Sequence, residues 1–166
     1  DAQASGACES NLLEVQILSR PPKINMMIKP PKIRIRKTST ENEEPLRIAA
    51  LGGLEEIGRN CMFFEYRNEI VILDLGLQFP EEETPGVDYI IPNIAYLADR
   101  KKNIRSLVIT HAHYDHIGAI PYLIGKLGNP PIYAAALTKE IILKRQEDFP
   151  NAPKLNIQIV KNGDKI

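Results

Sequence analysis

Cysteine is nearly missing from this chain: Cys8 and Cys61 are the only two in 166 residues, far apart and in unlike surroundings. Two scattered thiols make no disulfide framework, which excludes a stapled secreted scaffold and leaves a reducing cytoplasm as the expected compartment. Long apolar runs are missing as well. No stretch approaches the about 20 residues needed to span a bilayer, so no membrane partner is expected. Residues 11–19 are mildly apolar, but Glu14 and Gln16 interrupt them and no basic leader precedes them, so they are not read as a secretory signal. Net charge is also absent: 21 Lys and Arg balance 21 Asp and Glu, so overall charge points to no polyanionic partner.

An apolar content of 43% and a charged content of 25% suit one soluble globular domain of moderate size. The charge balance conceals an asymmetry. Arg20 to Lys37 holds seven basic residues and no acidic one, whereas Glu41–Glu44 and Glu81–Glu83 are acidic clusters. Residues 1–45 combine this basic run with Pro21-Pro22, Pro30-Pro31 and a polar patch, and lack helical periodicity. They read as a flexible arm, within which Ile33–Arg36 alternates apolar and basic residues like a short edge strand. The chain starts at Asp1 rather than Met and stops at Ile166 inside a patterned region, so truncation at both ends is expected.

From Leu46 onward the pattern becomes that of compact structure. Leu46–Leu51 reads as a strand followed by a Gly52-Gly53 turn. Cys61–Tyr66 and Ile70–Leu75 read as two strands of a hairpin closed by Arg67-Asn68-Glu69. A loop rich in Pro, Glu and Gly spans Gly76 to about Pro92, and Ile94–Arg100 is expected to be a short helix. Ser106–Thr110 (SLVIT) is an unbroken aliphatic run, as in a strand buried on both faces. Ile117, Ile120, Ile124 and Leu127 then mark one face of a helix starting near Gly118, with Pro121 in its first turn. A strand over Pro131–Ala134, a helix over Leu137–Asp148 containing Ile141, Leu143 and Lys144, and a strand over Leu155–Val160 complete the series. Paired strands followed by alternating helix and strand indicate an α/β domain with a mixed sheet.

Histidine is scarce too, yet its placement is the strongest signal in the chain. All three histidines, His111, His113 and His116, fall within six residues, with Asp115 among them. Imidazole and carboxylate are natural ligands of zinc, at about 2.0–2.2 Å. Residues two apart on an extended segment point the same way, so His111 and His113 can share one ion. Asp115 and His116 then turn toward a second as the chain enters a helix, and paired ions in hydrolases lie roughly 3.5–4 Å apart. The motif follows a buried strand directly, at the kind of crevice where α/β folds carry their sites. The competing reading is a helix cap with Asp115 at its N-cap and the histidines merely hydrogen-bonded.

The stretch from Thr110 to Leu123 (THAHYDHIGAIPYL) resembles the signature of metallo-β-lactamase-fold hydrolases. Leu51–Asn60 (LGGLEEIGRN), Asp74–Glu81 (DLGLQFPE) and Gly86–Pro92 (GVDYIIP) are similar to segments of the RNase J branch, and the likeness runs nearly continuously from Leu46 to about Lys144. The resemblance implies the first half of the αββα metallo-β-lactamase fold, a mixed sheet with flanking helices. It implies two zinc ions, one held by His111 and His113 and the other by Asp115 and His116, with Asp115 and His116 catalytic. Asp74 would be an outer carboxylate that orients the site. Glu56 and Asn60 would shape the Gly-rich turn without chemistry of their own.

The implied reaction is hydrolysis of RNA phosphodiester bonds, as a 5′–3′ exonuclease, an endonuclease or both, in RNA processing and decay. The implied partners are RNA and further copies of the intact chain. The family completes its site with a further histidine, a bridging aspartate and a last histidine downstream. No histidine follows His116 here, so those ligands lie outside this chain. Two alternatives share the fold: a hydrolase of a small ester, thioester or lactam, and an inactive incomplete fragment.

Overall fold

The computed structural model of the chain describes residues 44–80 and 85–166, together with the backbone of two upstream strands. Those strands, β1 (Leu12–Val15) and β2 (Ile33–Arg36), pair antiparallel with Leu12 opposite Arg36. Ile33–Arg36 is thus a strand, as its alternation suggested. The rest of the expected flexible arm, Cys8 and most of both acidic clusters lie outside the described residues.

The main sheet has six strands in simple sequence order, β3 (Arg47–Gly52), β4 (Cys61–Tyr66), β5 (Glu69–Leu73), β6 (Ile104–Val108), β7 (Ile132–Ala134) and β8 (Ile157–Ile159). The first three pair antiparallel and the last four, β5 to β8, pair parallel, so the sheet is mixed as expected. Chain geometry dictates the change. Arg67 and Asn68 join β4 to β5 with φ of 48° and 65°, the two left-handed residues that a tight hairpin turn requires. After β5 each return to the same end of the sheet needs a crossover, and the intervening segments carry the helices.

Those helices are α1 (Ala95–Ala98), α2 (Tyr114–Ile117), α3 (Ile120–Leu123) and α4 (Ala136–Gln146), with one 3₁₀ turn at Lys101–Asn103. One apolar cluster joins sheet and helical segments: Ile70, Ile72, Leu107 and Ile132 pack with Leu97, Ile120, Leu123, Ile124, Leu127 and Ile142. Each such side chain contributes about 1.5–3 kcal/mol on burial. An exposed pair such as Arg105–Glu69, with 58% and 60% of the side chains accessible, contributes about 1 kcal/mol at most. The core holds the fold.

Two expectations need correction. The buried strand begins at Ile104 and ends at Val108, two residues ahead of the reading from composition. The helix expected from near Gly118 is α3, with Pro121 in its first turn as expected, but it ends at Leu123 and a separate short helix, α2, precedes it. Pro121 has no N–H to offer the carbonyl of Ile117, and the Ala119 N–H is drawn away to the carbonyl of Leu75 at 3.0 Å. The apolar face survives the break, since Ile117, Ile120, Ile124 and Leu127 are all buried.

Candidate metal centre

Three segments far apart in sequence meet at the carboxyl ends of β5 and β6. Asp74 follows β5 directly and adopts φ 61°, a left-handed conformation that a short acidic side chain tolerates. Its N–H bonds the carbonyl of Val108 at 2.9 Å, so the turn is registered on β6. Gly76 then approaches the backbone of α2 so closely that any Cβ there would sit 1.5 Å from the carbonyl oxygen of Asp115. Only glycine fits.

That approach lets the loop after β5 stitch to the histidine motif. Leu75 N–H bonds the carbonyl of His116 at 2.8 Å, and Leu77 N–H that of Tyr114 at 3.1 Å. The third segment is the Gly-rich turn after β3, where Gly53 has φ 79° and its N–H donates to Glu56 Oε1 at 3.0 Å. It ends at Asn60, whose N–H bonds the carbonyl of Asp115 at 2.9 Å. Glu56 therefore shapes the turn, and ion-pairs with Arg59 while doing so.

The Asp74 carboxylate is buried and accepts from Thr110 N at 2.8 Å, from the Thr110 hydroxyl and from His116 Nδ1 at 2.8 Å. A carboxylate only accepts, so the proton on this contact belongs to His116 Nδ1 and the lone pair lies on Nε2. His116 Nε2 is 3.3 Å from Asp115 Oδ2. Asn60 Nδ2 donates to that same oxygen at 2.9 Å and lies 3.2 Å from the same Nε2. On the other side of Thr110, His111 Nδ1 is 3.0 Å from the hydroxyl, and His111 Nε2 is 3.1 Å from His113 Nδ1.

Two close pairs of atoms capable of ligating a metal result: His111 Nε2 with His113 Nδ1, and Asp115 Oδ2 with His116 Nε2. Ligands 2.0–2.1 Å from a tetrahedral zinc are about 3.3 Å apart, so both separations fit a shared ion in each pair. Among the described residues no group of three or more His, Cys, Asp or Glu side chains closes round one point. The donors come two by two.

Asp115 is not the helix cap that the competing reading made it. His113 occupies the N-cap of α2 without a side-chain cap bond, and Asp115 lies inside the first turn. Two residues escaped the reading from spacing. Thr110 touches Asp74, His111 and His116 at once, and Asn60, expected only to shape its turn, reaches both Asp115 and His116. Behind the site, Cys61 is buried, and desolvation together with the nearby Asp74 charge pushes its thiol far up, so it stays protonated and unreactive.

A model of the metallo-beta-lactamase superfamily matches residues 54–164, and the chain belongs to that superfamily. The curated proteins it is similar to include ribonucleases J. It is 41% identical over 129 residues to ribonuclease J of Thermus thermophilus, covering 75% of this chain and 22% of that protein. It is 46% identical over 101 residues to ribonuclease J 1 of Streptococcus pyogenes, covering 61% of this chain and 18% of that one. The chain thus spans about a fifth of the length of these relatives. Among solved structures, the Rm3 metallo-beta-lactamase aligns with a TM-score of 0.44 at 20% identity, over 66% of this chain and 41% of that one. Among the described residues no helix is long and apolar enough to cross a membrane.

Proposed function

We propose that the intact protein carrying this chain is a zinc-dependent ribonuclease that hydrolyses RNA phosphodiester bonds, as a 5′–3′ exonuclease, an endonuclease or both. The observation that carries this reading is the pairing of ligating atoms at 3.1 and 3.3 Å on a chain 41–46% identical to ribonucleases J. His111 and His113 would hold one ion, Asp115 and His116 the other, with the remaining ligands supplied from outside this chain. Bound zinc supplies Lewis-acid stabilisation of phosphoryl oxygens and lowers the pKa of water toward neutrality.

The chain's own residues prepare that chemistry. Asp74 keeps the proton on His116 Nδ1 and leaves Nε2 facing the site, the usual service of a carboxylate behind a ligating imidazole. Thr110 ties Asp74 to His111, so both donor pairs are braced by one carboxylate and one hydroxyl. Asp115 would anchor its ion and help place the attacking hydroxide. The domain organisation belongs to the same reading: residues 1–45 as an arm, and 46–166 as the first part of a catalytic domain working in the cytoplasm, in an oligomer of the intact chain.

The test is cleavage of a 5′-monophosphorylated single-stranded RNA by the intact protein, with and without chelator. Cleavage abolished by chelator and restored by zinc is expected. RNA left intact while a thioester or lactam is hydrolysed would reject the ribonuclease reading.

A further inference from the structure

Tyr114 stands between His113 and Asp115, one member of each donor pair, and its side chain is 44% exposed. Its ring is not loose: the Arg145 guanidinium sits over it, 4.4 Å from the centroid, and also 5.3 Å from the Phe149 ring. Phe149 meets Tyr122 edge-on at 5.0 Å, and Tyr122 stacks on Tyr89 at 4.4 Å. One ring face is thus fixed against α4, while much of the side chain remains open to solvent.

Arg145 is an unusual brace. It pairs with no carboxylate among the described residues, its buried Nε has no hydrogen-bond partner, and its one polar contact is a 3.4 Å approach to the carbonyl of Gly118. An exposed aromatic backed by a cation without a counter-charge, beside a phosphate-cleaving site, has the chemistry of single-strand nucleic-acid binders, where bases stack on rings and cations offset phosphate.

We propose that Tyr114, braced by Arg145, is a stacking platform for a nucleobase flanking the scissile phosphate of single-stranded RNA. The inference rests on the ribonuclease reading and adds to it a contact that does not depend on metal. Sequence tolerance follows, because every base has a face to stack. Arg145 plays a positioning part, holding the ring and contributing positive charge to the strand's path.

The experiment measures binding of a fluorescein-labelled single-stranded RNA to the intact protein in chelator, where no cleavage occurs. Tyr114→Ala should weaken binding about tenfold or more, and Tyr114→Phe should retain it. Arg145→Gln should weaken binding and lower its salt dependence by about one phosphate contact. With an abasic unit at the nucleotides flanking the mapped cut, wild type and Tyr114→Ala should bind alike, a result that a merely structural tyrosine would not produce. Wild type that binds and cuts RNA while Tyr114→Ala binds equally well overturns the platform alone. Wild type that neither binds nor cuts RNA overturns the ribonuclease reading and the platform with it.

Discussion

Asn60 Nδ2 donates to Asp115 Oδ2 at 2.9 Å, while the backbone N–H of Asn60 bonds the backbone carbonyl of Asp115 at the same distance. One residue thus holds another by both main chain and side chain, across 55 positions of sequence. The side-chain bond fixes where the carboxylate points, and the 3.2 Å approach to His116 Nε2 places the same amide before both atoms of the second donor pair.

Asn60→Ala should therefore weaken metal binding by about 10–100-fold, as losses of partners behind metal ligands do. The backbone bond stays, so folding should be little affected. Zinc titration of the intact protein with an indicator checks this, with a thermal melt alongside. Unchanged affinity would show that Asn60 serves the turn alone.

Removing donors should rank in order. His111→Ala or His113→Ala should abolish zinc binding at that pair. Asp115→Ala should slow RNA cleavage by at least about two orders of magnitude, since it removes charge fixed where the reaction needs it. Asp74→Ala should cost roughly 10–100-fold, because it releases His116 Nδ1 without removing a ligand. Single-turnover rates at saturating zinc test the ranking, and an Asp74→Ala loss exceeding that of Asp115→Ala would invert the assigned roles.

Gly76→Ala should unfold the site rather than merely loosen it. Its methyl group would fall 1.5 Å from the Asp115 carbonyl oxygen, on backbone that cannot swing aside as a side chain does. A cost of about 3 kcal/mol or more is expected. Denaturant unfolding of wild type and variant measures it, and a loss below about 1 kcal/mol would mean that the loop can yield.

How much of this was legible in the sequence depended on whether the cause was local. The Cys61–Tyr66 strand and the buried face of Ile117, Ile120, Ile124 and Leu127 follow from the side-chain pattern and match the structure. So does the approach of His111 to His113, since residues two apart on an extended segment face the same way. The break between α2 and α3 was not legible, because it depends on Leu75, more than forty residues upstream, capturing an N–H from Ala119. Asn60 and Thr110 were missed for the same reason. Their partners are neighbours only after β5 and β6 have paired in parallel, and no spacing in the chain encodes that register.

A second buried charge predicts how stability responds to acid. Glu65 lies on the core-facing side of β4, 4% exposed, where Arg100 Nη1 donates at 2.8 Å and Tyr96 at 3.1 Å, with Arg47 at 3.7 Å. The hydrogen-bonded Arg100 guanidinium, helped by Tyr96 and Arg47 against the cost of burial, holds the carboxyl below its ordinary value of 4.5. A folded pKa below the unfolded one stabilises fully above the unfolded value, and this stability is lost as pH falls through the folded value. Wild type should therefore lose stability below about pH 4.5, and Glu65→Gln should flatten that loss. Arg100→Met should cost about 3 kcal/mol at neutral pH by leaving a buried charge under-compensated. Urea midpoints from pH 3 to 7 decide, and parallel pH profiles for wild type and Glu65→Gln would refute the assignment.

The bonds from Asn60, Leu75 and Leu77 to the carbonyls of Asp115, His116 and Tyr114 also set the tempo of the site. Backbone amides so engaged exchange with solvent only when the surrounding unit opens, not by the swing of a free loop. The histidine-bearing segment therefore moves with the sheet, and what remains quick there is side-chain rotation, on the picosecond-to-nanosecond scale for exposed groups such as His111 and His113. Capture of an ion needs only a small reorientation of two imidazole rings whose nitrogens already lie 3.1 Å apart, not a backbone to close. In deuterium exchange the Leu75, Leu77 and Ala119 amides should be as slow as those of β5 and β6, with metal or without it.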